Sequence, residues 1–226
     1  MPQPQLLIFD CDGVLIDSEV IAAKVQCELM REEGIDLDAA DLAQRFAGLT
    51  WPAIVERLKE ETGHRFSQAF MQRVDDEIDR RLGTEAEEIA GAHEMLDRLE
   101  MTRCICSNSS AARLELELDH VGLWDRFRPY VFSAIDIGKA KPEPDIFLHA
   151  LKVFDVRAEN AIVLEDSVHG VAGARAAGCR VVGFTGASHS YPGHADALTE
   201  AGAETVISRL ADYPAVVEVL GDWQDG

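Results

Sequence analysis

The sequence predicts an α/β protein whose parallel sheet is interrupted early by a group of helices. The first observation is a series of short apolar runs without polar alternation, at residues 6–9, 104–106, 161–164 and 180–184, with a weaker run at 205–207. Such runs are typical of parallel strands that are buried on both faces. The second observation is that helical patterns separate the later runs, at 111–121, 145–154 and 168–177. Strands and helices therefore alternate from about 85 to 210, which indicates an open sheet.

The third observation is the stretch 18–82, which contains no run that resembles a strand. Its helical patterns cover 19–33, 39–46, 52–61 and 67–82, and glycines at 34, 48, 63 and 83 separate them. We therefore expect two domains. An α/β core is formed by residues 1–17 and 84–226, and a helical domain, residues 18–83, is inserted after the first strand.

The charge of the chain argues against several classes of partner. Its 226 residues include 21 Lys and Arg against 41 Asp and Glu, which gives a formal net charge of −20. Nucleic acids and anionic membrane surfaces are bound through clustered cations, so we expect neither as a partner. A small anionic substrate remains compatible, because a local site can oppose the overall field. The sequence predicts neither a membrane span nor a secretory signal, and no segment indicates an obligate protein partner. The five cysteines are scattered without zinc-binding spacing, and we expect a cytoplasmic location.

Two aspartates follow the first predicted strand directly. Asp10 and Asp12 are separated by one residue, and Gly13 permits a sharp turn after them. In open α/β sheets, ligands bind beyond the carboxyl ends of the strands. Two carboxylates there repel each other unless a cation lies between them, and Mg²⁺ suits such a pair together with phosphate oxygens and water. A simple turn is the alternative. An EF-hand calcium loop is excluded, because the apolar residues 14–16 stand where it needs acidic ligands.

Polar residues occur at three further places where a strand or a loop meets a helix. Ser107 and Asn108 close the second apolar run, and Lys141 precedes a proline before the helix at 145–154. Glu165 and Asp166 close the third run.

Each of these three places has an ordinary structural alternative. Ser109 or Ser110 could cap the helix that begins at 111, and Asp166 or Ser167 could cap the helix that begins near 168. Lys141 could be a solvated residue of a proline loop. Their order along the chain resembles the order of the motifs in a known family, however, and this resemblance favours a shared site over separate coincidences.

The motif D-x-D-G-V-L-x-D-S after an apolar strand resembles the first motif of the haloacid dehalogenase superfamily. Residues 107–108, 141 and 165–166 are similar to the other three motifs of that superfamily, in the same order. The resemblance implies a Rossmann-like parallel sheet with an inserted helical cap domain, and a Mg²⁺ cofactor. It also implies a phosphatase or phosphomutase, because members that are true dehalogenases lack the second aspartate.

The same resemblance implies a role for each matching residue. Asp10 is the nucleophile that forms an aspartyl-phosphate, and Asp12 is the general acid and base. Ser107 and Asn108 bind the phosphoryl oxygens, and Lys141 bridges the nucleophile and the phosphate. The metal ligands are the carboxylates of Asp10 and Asp166 and the backbone carbonyl of Asp12, with Glu165 acting through a coordinated water.

Within the superfamily, the chain is similar to the β-phosphoglucomutase-like phosphatases, and its pattern is closest to bacterial phosphatases of the 6-phosphogluconate type. This implies hydrolysis of a small phosphorylated metabolite, such as a sugar phosphate like 6-phosphogluconate. A phosphomutase and a non-catalytic phosphometabolite-binding protein are the alternatives. The mutase pattern is incomplete, because Ala22 stands where mutases have a histidine, and Ala47 and Trp51 stand where they have a lysine and an arginine. Arg45 is either a contact to an acidic sugar or a solvated helix residue.

Overall fold

The computed structural model describes residues 4–46, 49 and 51–222. Its parallel sheet confirms the predicted α/β class and has the strand order β3-β2-β1-β4-β5-β6. The strands are β1 Leu6–Phe9, β2 Arg103–Ser107, β3 Val131–Ser133, β4 Ala161–Glu165, β5 Arg180–Phe184 and β6 Thr205–Ile207. The three-residue strand β3 was not predicted, because it is too short to show a pattern.

Helices connect these strands. Four of them lie between β1 and the rest of the sheet: α1 Glu19–Glu32, α2 Ala39–Phe46, α3 Trp51–Thr62 and α4 Gln68–Glu85. The later ones are α5 Ala92–Asp97, α6 Ala111–His120, α7 Trp124–Phe127, α8 Ala134–Ile137, α9 Asp145–Phe154, α10 Val168–Ala176, α11 His194–Ala201 and α12 Tyr213–Asp222. The sequence did not predict α5, α7, α8, α11 and α12. Within the described part of the chain, no helix is long and apolar enough to cross a membrane.

The strands lack polar alternation because both faces of the sheet are covered. Leu7 and Phe9 of β1 belong to one apolar cluster, which also includes the apolar residues of α1–α4. Leu6 and Ile8 belong to a second cluster, on the opposite face. All four side chains are fully buried. Burial on both faces is what a parallel sheet in an α/β protein requires.

Strand register brings the carboxyl ends of three strands together. Phe9 at the end of β1 is paired with Ile105 of β2 on one side and Leu164 of β4 on the other. The backbone N–H of Asp10 continues this ladder and donates to the carbonyl of Leu164, at 3.0 Å. The residue that follows the central strand is therefore flanked by the ends of β2 and β4.

Residues of α1, α3 and α4 line a cavity together with residues at this edge of the sheet. Ser67 caps α4, its hydroxyl accepting from the backbone N–H of Phe70 at 3.1 Å. The buried face of α4 carries apolar residues three to four positions apart: Phe70, Val74, Ile78 and Leu82. The helix runs through Gly83 to Glu85, so Gly83 is not the break that the sequence predicted. The domain boundary at 83–84 stays a prediction.

Candidate active site

Asp10 directly follows β1, and Lys141 precedes Pro142 at a cis peptide bond. The side chains of these two residues are in direct contact. Asp10 is 7% exposed and Lys141 is 4% exposed. The ammonium nitrogen of Lys141 is 3.0 Å from Oδ1 of Asp10 and 2.5 Å from Oε1 of Glu165. The same Oδ1 of Asp10 accepts the backbone N–H of Cys11 at 2.8 Å. The single ammonium group of Lys141 thus contacts two buried carboxylates. Charged groups are retained in a protein interior when they are paired in this way.

The carboxylates of Asp10, Glu165 and Asp166 form a compact acidic group. One oxygen of each lies within 4.8 Å of the others, and all three residues are buried. The Glu165 carboxylate is already occupied, since it accepts from Lys141 and from the backbone N–H and hydroxyl of Ser167, at 2.9 and 3.0 Å. Asp10 and Asp166 are therefore the two members of this group best placed to ligate a hard cation, and the acid-rich, buried donor set fits one.

The turn after β1 approaches the acidic group so closely that residue 13 has no room for a side chain. Gly13 has a φ of +74°, and a Cβ built there would lie 2.0 Å from Oδ2 of Asp166. Its backbone N–H donates to the carbonyl of Ile16 at 2.8 Å. The glycine therefore satisfies two demands at once, a left-handed backbone and contact with the acidic residue that follows β4.

The Asp12 carboxylate is held by three hydroxyl groups. Ser18 donates to Oδ1 at 2.5 Å, while Ser107 and Ser109 donate to Oδ2 at 3.2 and 2.8 Å. Ser18 directly precedes α1, whereas Ser107 is the last residue of β2 and Ser109 follows that strand. This arrangement fixes the carboxylate next to Asp10 without using a charged partner.

Ser107 and Asn108 lie where the sequence placed them, at the end of β2. The Ser107 side chain is buried and accepts the backbone N–H of Ser109 at 3.0 Å. Oδ1 of Asn108 accepts the backbone N–H of Lys141 at 2.9 Å, so the amide also positions the lysine loop. Both residues line the same cavity as Asp10 and Lys141. The helix-capping alternatives are also realised, by Ser110 and Ser167. Their hydroxyl oxygens accept from the backbone N–H groups of residues 113 and 170.

Burial and mutual charge shift the titration of this group. Burial and the Glu165 carboxylate raise the pKa of Asp10, and the Lys141 ammonium opposes them. Burial alone would lower the pKa of Lys141, but Asp10 and Glu165 raise it above its usual value. Burial also raises the pKa of Asp166, against the effect of His189. The concentration of negative charge is what a bound cation would relieve.

A cavity of about 370 Å³ opens above these residues. The sheet edge contributes Asp10, Asp12, Ser107, Asn108 and Lys141, and the helices α1, α3 and α4 contribute residues on the other side. Ala22 and Trp51, which distinguish the chain from the mutase pattern, both line the cavity. Ala47 lies outside the described residues.

The sequence analysis missed His189, in the loop after β5. Its imidazole Nε2 lies 2.9 Å from Oδ2 of Asp166, and although burial lowers its pKa, Asp166 raises it to about 9. His194 holds the same residue through its backbone, with Nε2 2.7 Å from the Asp166 carbonyl oxygen. Because β5 is also a parallel strand, the position of this loop after its carboxyl end was the signal available in the sequence.

Two further lining residues were also missed. Ser109 contacts Asp12, and Arg113 of α6 pairs with Asp79 of α4 at 2.6 Å. Arg45, by contrast, is exposed and pairs with Glu61 at 2.7 Å, in agreement with the interpretation as a solvated helix residue.

Comparison with known proteins identifies the family of the chain. Residues 7–184 match the model of the haloacid dehalogenase-like hydrolases. The chain is 31% identical over 193 residues to a 6-phosphogluconate phosphatase of Escherichia coli (strain K12), an alignment that covers 85% of this chain and 87% of that protein.

Solved structures agree. A conserved haloacid dehalogenase-like protein of unknown function from Agrobacterium tumefaciens str. C58 is 49% identical, with a TM-score of 0.88 over 96% of this chain and 99% of that one. A HAD family hydrolase from Deinococcus radiodurans R1, crystallised with bound phosphate and sodium, is 30% identical, with a TM-score of 0.80 over 97% of both chains. The chain therefore belongs to the haloacid dehalogenase-like hydrolases, a family in which similar proteins are named as phosphatases.

Proposed function

We propose that the protein is a Mg²⁺-dependent phosphatase that hydrolyses a small phosphorylated, sugar-like metabolite through an aspartyl-phosphate. The observation that carries this proposal is the contact of Lys141 with Asp10, at 3.0 Å, beside the acidic group that includes Asp166. A carboxylate nucleophile attacks an anionic phosphate ester only where charge is neutralised and the attacking and leaving oxygens are held in line.

In the first step, a carboxylate oxygen of Asp10 attacks phosphorus and forms an acyl-phosphate bond. The bond between phosphorus and the ester oxygen breaks, and the electron pair leaves with that oxygen. Asp12 enters this step protonated and transfers its proton to the leaving alkoxide. Ser107 and Asn108 hold the phosphoryl oxygens, and Lys141 keeps the nucleophile in place while it offsets the phosphate charge.

In the second step, the Asp12 carboxylate accepts a proton from a water molecule. That water attacks the phosphorus of the aspartyl-phosphate, the acyl-phosphate bond breaks, and inorganic phosphate and free Asp10 result. The hydroxyls of Ser18, Ser107 and Ser109 keep the Asp12 carboxylate in one orientation through both proton transfers.

The ligands of Mg²⁺ in this proposal are the carboxylates of Asp10 and Asp166 and the backbone carbonyl of Asp12. The ion supplies positive charge next to the transferring phosphoryl group, where it stabilises the developing negative charge. Glu165, whose oxygens already accept from Lys141 and Ser167, would reach the ion through a coordinated water.

The helices of residues 18–83 form, in this proposal, a cap domain that covers the site and contacts the leaving group. Hydrolysis is favoured over phosphoryl return to a second hydroxyl, because the methyl group of Ala22 in the cavity lining can neither donate nor accept a hydrogen bond. The similarity to a 6-phosphogluconate phosphatase supports a sugar-like leaving group.

The test is phosphate release from p-nitrophenyl phosphate and from a panel of sugar phosphates, with and without Mg²⁺. We expect Mg²⁺-dependent release by the wild-type protein and none above background by Asp10→Asn, with a phosphorylated Asp10 trapped in Asp12→Asn. Unchanged turnover in Asp10→Asn would exclude the mechanism. Binding of Mg²⁺ and phosphate without turnover of any ester would indicate a non-catalytic protein, and bisphosphate-dependent isomerisation of hexose 1-phosphates would indicate a mutase.

A further inference from the structure

The side of the cavity formed by α1 and α4 is rich in negative charge. Glu19, at the start of α1, and Asp75 and Asp79, one turn apart on α4, all line it. These three carboxylates come in addition to Asp10 and Asp12 at the sheet edge. In the proposed mechanism a metal ion, together with Lys141, would offset the charge at the sheet edge.

The cation nearest to these carboxylates is already engaged by them. Arg113 places Nε 2.6 Å from Oδ1 of Asp79, and one of its terminal nitrogens is 3.1 Å from Oδ1 of Asp75. Its side chain is 18% exposed. A guanidinium held by two carboxylates has no net positive charge left for a third.

The described lining offers no further basic side chain to Asp75 and Asp79, whereas Glu19 interacts with the imidazole of His189, which lies outside the lining. Among the described lining residues, Arg113 and Lys141 are the only bases. The residues that the structure does not describe, 1–3, 47–48, 50 and 223–226, include no Lys, Arg or His. The side of the cavity that receives a leaving group is therefore net negative.

Neutral hydrogen-bonding groups occupy the same lining. The Trp51 side chain is 6% exposed, and its indole N–H has no hydrogen-bond partner among the described residues. Gln26 of α1 is also 6% exposed and brings an amide. A buried indole N–H without an acceptor costs free energy, and a substrate hydroxyl would remove that cost.

We infer that the enzyme selects phosphate esters of uncharged sugars or polyols and discriminates against esters that carry a second anionic group, such as sugar acid phosphates. This inference rests on the proposed phosphatase function and specifies its substrate class. A carboxylate at the far end of the leaving group would face Asp75 and Asp79, two carboxylates that share the single charge of Arg113, whereas a hydroxyl there meets the neutral indole N–H of Trp51 and the amide of Gln26.

Two open-chain substrates that differ at one carbon test the inference. Sorbitol 6-phosphate carries a hydroxymethyl group where 6-phosphogluconate carries a carboxylate. Their kcat/KM values are measured with Mg²⁺, and their inhibition constants are measured against hydrolysis of p-nitrophenyl phosphate, so that binding is read even where turnover is slow. We expect sorbitol 6-phosphate to be favoured about tenfold or more by either measure. Equal or better performance of 6-phosphogluconate overturns the inference.

A charge-removing variant identifies the source of the selectivity. Asp75→Asn removes one carboxylate from the cavity and leaves Arg113 paired with Asp79 alone, so the preference for sorbitol 6-phosphate should shrink several-fold. Glu85→Gln, an exposed change on the same helix that does not line the cavity, should preserve the wild-type ratio. A ratio unaffected by Asp75→Asn also overturns the inference. Absence of hydrolysis of all three esters would instead overturn the proposed function.

Discussion

Lys141 and Asp10 form a buried ion pair at the point where the central strand of the sheet ends, with 3.0 Å between the ammonium nitrogen and Oδ1. The lysine also contacts Glu165, the last residue of the neighbouring strand β4. A single cation therefore joins residues from three separate segments of the chain. Because buried like charges repel strongly, this contact determines whether the acidic group can remain ionised.

Replacement of this lysine should damage both activity and stability. Lys141→Met leaves a side chain of similar length but no charge, and we expect kcat to fall at least ~100-fold, as when one electrostatic contact to a transition state is lost. The free energy of unfolding should fall by about 3–5 kcal/mol, because two buried carboxylates lose their partner. Phosphate-release kinetics and urea denaturation measure the two effects. Lys139→Met, which removes an exposed pair with Asp145, should change neither appreciably, and equal effects of the two variants would contradict the assignment.

Gly170 provides a test of Glu165 that leaves every polar residue in place. A Cβ at position 170 would lie 1.7 Å from Oε1 of Glu165, so Gly170→Ala must displace the carboxylate that holds Lys141. An alanine within a helix otherwise adds about 1 kcal/mol of stability over glycine. We expect a loss of stability and at least ~10-fold lower kcat/KM instead.

The matched control for this change is Gly83→Ala, also within a helix. The atom nearest to the added methyl group there belongs to the flexible side chain of Leu116, at 3.0 Å. Its activity should stay near that of the wild-type protein. A fully active and stabilised Gly170→Ala would show that the position of Glu165 is not important for turnover.

Ser109 and Ser110 are adjacent serines after β2, and comparing them tests a role at Asp12 separately from a role in helix capping. Ser109 donates to Asp12 at 2.8 Å, whereas Ser110 caps α6 through the backbone N–H of Arg113. Ser109→Ala should lower kcat several-fold with little change in stability, since it removes one of three hydroxyls from the carboxylate. Ser110→Ala should cost about 1 kcal/mol of stability with a smaller effect on kcat. Steady-state kinetics and thermal unfolding of both variants measure these effects. A larger loss of kcat in Ser110→Ala than in Ser109→Ala would contradict the assignment.

The sequence could predict those parts of the site that follow strands with a strong apolar pattern. Asp10 and Asp166 come directly after such a strand and Ser107 is the last residue of one, and parallel strands bring their carboxyl ends to one edge. Long helices with apolar residues at regular spacing were predictable for the same reason. Strand β3, with three residues, and helices α7 and α8, with four residues each, are too short for a pattern with a period of 2 or 3.6 residues to repeat, and they form because the surrounding core orders them.

The rest of the site depends on contacts between distant segments. His189 reaches Asp166 from a loop that shows no local pattern, and Arg113 meets Asp79 from a different helix. Each side chain is an ordinary polar residue in its own segment. Only the packing of α4 against α6 and of the β5 loop against β4 gives them partners, and neither packing is visible in local periodicity.

A buried glutamate behind the site predicts an unusual dependence of stability on pH. Glu117 of α6 is fully buried, accepts from the Cys11 thiol at 3.4 Å, and has no hydrogen-bond partner for Oε2 among the described residues. Burial and the nearby Asp12 carboxylate raise its pKa well above the usual 4.5. Above about pH 4.5 the unfolded chain loses this proton while the folded protein keeps it. Stability is therefore lost as the pH rises from there towards the raised pKa of the folded state.

Glu117→Gln removes this penalty, because its neutral amide preserves an acceptor for Cys11. Each unit by which the folded pKa exceeds the unfolded one costs the wild-type protein about 1.4 kcal/mol, so the variant should gain stability relative to wild type between pH 4 and pH 8. Urea denaturation at both pH values measures the difference, and the exposed Glu115→Gln on the same helix should show no such trend. A gain that is equal at the two pH values would mean that Glu117 is ionised in the folded protein. In that case its charge must be compensated by a cation or by water that reaches Oε2, since none of the described side chains does so.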